Sequence, residues 1–299
     1  MPVKRVCSRT KAAPAAVLVT VTLGAASCSS APLPVSHIED KARLDVPIAI
    51  CRRSLAPGEA GDGGTLSPEA YWSVLLPTFH GFGATLAPSD ADCVGGLHQG
   101  DPTGAALASP AVAPDDTIVA PAEDETQVVW LRAFRASDHV AAGPLALVRP
   151  RPSELDVYAL GTYRGSARHS RFVFGRLATT RAVAANDDGC ADSKVDAECE
   201  STWTFYLIVG GKIEAAAGTP AQRLRFGTIK SLGRVQYRLT TDPPVFDKGT
   251  VRIHERLQVR DSGDEDVRKA EGDRIFVLGP DGRLAASQDS LWAQVPTRP

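Results

Sequence analysis

Three groups of side chains in this chain are of the right types to do chemistry: a set of cysteines, a run of carboxylates, and arginines that alternate with apolar residues. Cys51, Cys93, Cys190 and Cys199 are an even set, and four thiols can pair in three ways. Proximity in sequence favours Cys51 with Cys93 and Cys190 with Cys199, one clip in each half of the chain. Metal ligation is the competing use of a thiolate, but none of the four has a CxxC partner or a histidine at ligand spacing. Between Asn186 and Glu200 the carboxylates of Asp187, Asp188, Asp192 and Asp196 crowd around the second clip. Oxygen ligands at that density could hold calcium. The run lacks EF-hand spacing, so a solvated hairpin tip is the preferred reading and no metal is expected.

The arginines carry the second chemical expectation. From Val251 to Arg260 the strand alternates strictly: Val251, Ile253, Glu255, Leu257 and Val259 fall in one phase, and Arg252, His254, Arg256, Gln258 and Arg260 in the other. Arg223 and Arg225 alternate with Leu224 and Phe226, and Arg234 and Arg238 with Val235, Tyr237 and Leu239. Were these strands neighbours, their arginines would form one cationic face able to bind an anion, because guanidinium forks match carboxylate and phosphate bidentately. The preferred reading is a solvated face whose arginines cover apolar surface with their stems and pair with nearby carboxylates. Glu255, alone in the apolar phase, is either a general acid or base with a raised pKa or a carboxylate paired with an arginine.

No catalytic residue is assigned. The chain has no GxSxG elbow, HExxH, Walker A loop or GxGxxG after a strand, and no cofactor is expected. The histidines (His37, His80, His98, His139, His169, His254) are scattered. A triad can assemble from distant residues, so an enzyme, a hydrolase above all, remains the alternative to a binding or structural protein.

Few helices are available to position these groups. Ser67, Pro68 and Glu69 read as N-cap, first turn and favourable acid of a short helix over 68–76, with Tyr71, Val74 and Leu75 on one face and Pro77 as its stop. Leu44 to Cys51 reads as a strand, the glycines at 58–64 as a loop, and 94–123 as a long Gly/Ala/Pro-rich arm. From 128 onward short β runs dominate: 128–134, 144–149, 154–163, 170–178, 203–209, 212–216, 222–229, 233–240, 249–260, 274–278 and 283–286. Gly210-Gly211 and Gly279-Pro280-Asp281-Gly282 are hairpin turns. The run from Trp203 to Val209 is apolar in both phases, as in a strand buried on two faces.

The first residues supply an address. A basic start (Lys4, Arg5, Arg9, Lys11) feeds an apolar run from Ala12 to Ala26 that ends Ala25-Ala26-Ser27-Cys28. About fifteen apolar residues broken by Pro14 fall short of the roughly 20 a spanning helix needs, so the segment reads as a removable signal. It resembles a bacterial lipoprotein signal with its lipobox, although the usual Leu three residues before the cysteine is Ala25 here. The resemblance covers residues 1–28 only. It implies cleavage before Cys28, acylation of that cysteine and attachment to the membrane through its lipid. Ser29, in place of the aspartate that favours inner-membrane retention, implies the outer membrane.

The organisation that follows is a signal over 1–27, a lipidated cysteine and tether over 28–44, a disulfide-clipped arm with a short helix over 45–127, and a β region over 128–299, the last two forming one domain. About 270 residues are left after cleavage, enough for one large core. The whole chain has 33 Lys+Arg against 35 Asp+Glu, and the leader removes four bases and no acid. Nucleic acid is therefore not an expected partner. The expected fold is all-β or predominantly β, an antiparallel sandwich or open barrel with one short helix and a long arm. The expected function is a non-enzymatic envelope lipoprotein whose partners are the membrane and an anionic glycan, lipid or protein, with its oligomeric state open.

Overall fold

The computed structural model of the protein describes residues 47–51, 53–55, 66–86, 92–93, 111–137, 139–191, 193–194 and 197–296. The expected signal, Cys28, the tether, Asp192 and Asp196 lie outside the described residues. In chain order the elements are β1 (Arg53–Ser54), α1 (Pro68–Leu75), β2 (Thr117–Pro121), β3 (Gln127–Leu131), β4 (Phe134–Ser137), β5 (Val140–Pro150), β6 (Glu154–Ser166), β7 (Arg171–Leu177), β8 (Thr180–Asp187), β9 (Cys199–Val209), β10 (Lys212–Ile229), β11 (Gly233–Thr241), β12 (Val245–Asp247), β13 (Thr250–Arg260), β14 (Asp266–Leu278) and β15 (Leu284–Ala286).

The protein is predominantly β, as the alternation in its sequence predicts, and its strands form one large sheet that does not close. The main path runs β15-β14-β13-β11-β10-β6-β5-β3-β2, with β7-β8-β9 branching from β10. Among the described residues every pairing is antiparallel except a two-residue parallel ladder between β10 and β6, where Lys212 and Ile213 meet Leu160 and Gly161. That ladder joins the two halves of the sheet and makes it mixed rather than purely antiparallel.

The strands stack into layers because several of them are apolar on both faces. On β3 and β5, Val129, Leu131, Ala146 and Val148 pack under α1, while Val128, Trp130, Leu145 and Leu147 face β8 and β9. On β9, Tyr206 and Ile208 share that second core. Trp203, Phe205 and Leu207 turn the other way, into a third core with Val251, Ile253 and Phe276. The run from Trp203 to Val209 is thus a central strand, as its two apolar phases require.

Helix α1 docks through its polar tips as well as its apolar face. Tyr71, Trp72, Val74 and Leu75 are buried. The Tyr71 hydroxyl donates to Gln127 Oε1 at 2.6 Å and the Trp72 indole N–H to Thr117 Oγ1 at 2.7 Å, which fixes the helix over β2 and β3. Ser67 occupies the N-cap position in extended conformation, but its side chain makes no capping bond, contrary to the expected role. The Cys93 N–H donates to the Leu75 carbonyl at 3.1 Å, so the disulfide arm finishes the helix. Cys51 is bonded to Cys93, with Cα atoms 5.2 Å apart, and Cys190 to Cys199, with Cα atoms 5.1 Å apart.

Several expectations need correction. The described end of the Leu44 to Cys51 segment is a 3-10 turn, Ala49–Cys51, rather than a strand. The C-terminal part of the 94–123 arm is strand β2, placed at the sheet edge where Pro121 can be tolerated. Residues 212–216 and 222–229 are one 18-residue strand, β10, whose register slips between Ala215 and Ala217 and again between Pro220 and Gln222. Pro220 sits at the second irregularity, where a missing N–H breaks no ladder bond that the bulge had not already disturbed. The β9–β10 hairpin turns at Gly210 (φ 57°) and Gly211 (φ 79°), a left-handed pair that non-glycine residues adopt at a cost.

Candidate ligand-binding groove

Strands β10, β11 and β13 are neighbours, which is the condition the arginine pattern needed, but their register splits the arginines between two faces. In an antiparallel pair, residues directly opposite each other point to the same side. Leu224 faces Arg238, which faces Gln258; Phe226 faces Gln236, which faces Arg260; Thr228 faces Arg234; and Thr240 faces Arg256. One side therefore carries Leu224, Phe226, Arg234, Arg238, Arg252, Arg256 and Arg260. Arg223 and Arg225 face Leu239 and Tyr237 on the opposite side. The seven arginines do not form one face.

On that opposite side Arg223 and Arg225 hold the C-terminal segment. Their guanidinium carbons lie 5.7 and 5.4 Å from the Trp292 ring centroid, and Arg225 also donates to the Pro296 carbonyl. Arg223 pairs with Glu200. Glu255 belongs to this structural arrangement. It is 1% exposed; its Oε2 accepts from Ser290 Oγ at 3.0 Å and from the Leu291 N–H at 2.7 Å, and its Oε1 lies 3.7 Å from Arg274. The carboxylate is paired and capping, the second of the two roles its position allowed. Beneath the segment, Tyr237, Leu257, Val259 and Val295 line an apolar pocket of about 310 Å³.

The first side is concave. A groove of about 700 Å³ runs across β10, β11 and β13, walled at one end by the Cys190–Cys199 clip and at the other by the turn at Asp261, Ser262 and Asp264. Its floor mixes Leu224 and Phe226 with Gln222, Gln236, Arg234 and Arg238. The strands give the floor its rigidity and the disulfide fixes one wall.

Ion pairing decides which arginines remain available. Arg256 makes two hydrogen bonds to Asp242, at 2.7 and 2.8 Å, which hold that carboxyl below its ordinary range. Arg260 is taken by Asp264 at 3.0 Å and Asp266 at 3.2 Å. Arg252 lies 3.6 Å from Asp273, whose carboxyl is also 2.8 Å from His254 Nδ1. Arg234 stacks its guanidinium 4.6 Å over the Phe226 ring and keeps its donors free of any acid among the described residues. Arg238 and Lys194 likewise have no ion-pair or hydrogen-bond partner among the described residues. Arg234, Arg238 and Lys194 are thus the cations lining the groove that no acid among the described residues neutralises.

Of the calcium candidates, Asp187 and Asp188 are described while Asp192 and Asp196 lie outside the described residues; among the described residues no three His, Cys, Asp or Glu side chains are placed to hold a metal ion. Asp187 is half-buried; burial pushes its carboxyl above the ordinary range, against a hydrogen bond from the Ser166 backbone and the charge of Arg164, which pull it down. Sequence reasoning missed the groove floor, because it grouped the arginines of all three strands as one cationic face. The strand of Leu224 and Phe226 offers apolar residues in one phase and arginines in the other, and only the β11 register shows that the apolar phase faces outward. Comparison with protein-family models, curated proteins and solved structures finds no match to this chain.

Proposed function

We propose that the protein is a bacterial envelope lipoprotein, anchored through Cys28 at the outer membrane, that acts by binding rather than by catalysis. The observation that carries the anchoring is the leader ending Ala25-Ala26-Ser27-Cys28, followed by a tether with Pro32 and Pro34. Both disulfides support it, since such bonds persist in oxidising compartments outside the cytoplasm. Two or three acyl chains at about 0.8 kcal/mol per buried methylene make release from the bilayer negligible. Binding is supported by the groove, which sets Arg234 and Arg238 of strand β11 and Lys194 of the disulfide-clipped wall around one concave floor.

Cell fractionation with a labelled fatty acid tests this reading. The wild-type protein should carry the label and sediment with membranes after a high-salt wash, and Cys28→Ala should lose the label and accumulate as precursor or soluble form. Normal processing and membrane retention of Cys28→Ala would overturn it.

A further inference from the structure

We infer that the groove over β10, β11 and β13 is a binding site for an acidic saccharide, with Arg238 and Arg234 receiving its carboxylates and Leu224 and Phe226 meeting the apolar faces of its rings. The inference rests on the reading of the protein as a binding protein and names the ligand of that same site. Three features of the groove select this chemistry.

The first is charge that is present but not spent. Arg252, Arg256 and Arg260 on the same side are each held by an acid, whereas Arg238 and Lys194 have no partner among the described residues and Arg234 is held only against a ring. A guanidinium fork takes a carboxylate with two parallel hydrogen bonds. The second is a floor that is neither apolar nor uniformly charged. Gln222 and Gln236 flank Leu224 and Phe226, so amide donors and acceptors lie beside hydrophobic surface. A pyranose ring presents that combination, hydroxyls at its rim and C–H groups on its face. A lipid headgroup would need charge without the apolar strip, and its acyl chains would need depth; the apolar pocket at Tyr237 and Leu257 lies on the other side of the sheet.

The third feature is extent. Neighbouring strands are spaced about 4.8 Å apart, so a floor of three strands is roughly 10 Å wide between walls. That width, with a volume of about 700 Å³, suits two or three sugar residues in an open groove. The Cys190–Cys199 clip holds the wall that carries Lys194.

The test uses the full chain, expressed with its own leader and purified in whichever form the cell makes, titrated calorimetrically with trigalacturonate. Binding should be saturable, weaken with added salt, and be absent for neutral maltotriose. Arg238→Ala and the milder Arg238→Gln should each weaken it tenfold or more, as should Arg234→Ala. Arg252→Ala removes a charge from the same side outside the groove and should leave affinity unchanged. No binding of trigalacturonate at millimolar concentration would overturn the inference, as would equal affinity in wild type and Arg238→Gln. So would Arg238-dependent binding to phosphatidylglycerol vesicles without saccharide binding, which would assign the groove to a lipid headgroup. Because the titration does not depend on acylation, its failure is distinguishable from failure of the anchoring, which fractionation reads.

Discussion

Arg238 on β11 stands directly across from Leu224 on β10, so the two share the outward side of the sheet. This pairing inverts what alternation within β10 alone suggests, and it places Leu224 on the groove floor instead of in the core. Arg223, one residue earlier, is thereby turned inward over Trp292.

The phase of β13 can be checked by stability. Leu257 is 4% exposed and packs with Val235, Tyr237 and Leu239. Leu257→Ala should destabilise by about 2–5 kcal/mol in urea titration, the range for truncating a packed leucine. Arg256→Ala, which loses an exposed pair with Asp242, should shift the midpoint far less. Equal shifts would show that the two faces are misassigned.

Alternation succeeded at β13 because one side packs and the other meets solvent. It failed at β8, where Ala182 and Ala184 face one core while Val183 and Ala185 face another. With both phases buried, and small to admit the aromatics of β9, no period of two survives in the hydrophobicity. The β10 error has a different cause: Leu224 and Phe226 are apolar for a groove and Arg223 and Arg225 are cationic for a strap, so both sides violate the usual rule together. The cysteine pairs were legible because each cysteine bonds to its nearest neighbour in sequence, at separations of 42 and 9 residues. Which arginines of the groove stay unpaired was illegible, since it depends on which of them acids neutralise across strands.

Asp187 should make stability depend on pH in the direction opposite to a salt-bridged acid. Burial raises its folded pKa above the unfolded value, so the folded state prefers the protonated form. The penalty is absent below the unfolded pKa, grows as pH rises between the two values, and is complete above the folded pKa. Asp187→Asn, which keeps an oxygen for the Ser166 backbone, should therefore raise the thermal midpoint at neutral pH and match wild type in acid. A stabilisation that persists undiminished below the ordinary aspartate pKa would contradict this assignment.

The C-terminal segment should be released by changing Glu255. Its carboxylate accepts from Ser290 and Leu291 and faces Arg274, so Glu255→Ala strips two hydrogen bonds and leaves a cation half-enclosed without its acid. Breaking a buried pair on one side costs about 3–5 kcal/mol. The expected readouts are a red shift of Trp292 emission and early proteolysis after β15, with both disulfides intact. Glu255→Gln retains an acceptor oxygen and should do less. A segment that stays protected in Glu255→Ala would mean that the arginines against Trp292 suffice to hold it.

That Cys28 is the anchored amino terminus is tested most directly by mass spectrometry of the N-terminal peptide of the mature protein, extracted from membranes with detergent. The predicted result is a peptide beginning at Cys28, with a diacylglyceryl group on its sulfur and Ser29 as its second residue. A mature chain that begins elsewhere, or a Cys28 with a free thiol, would contradict it.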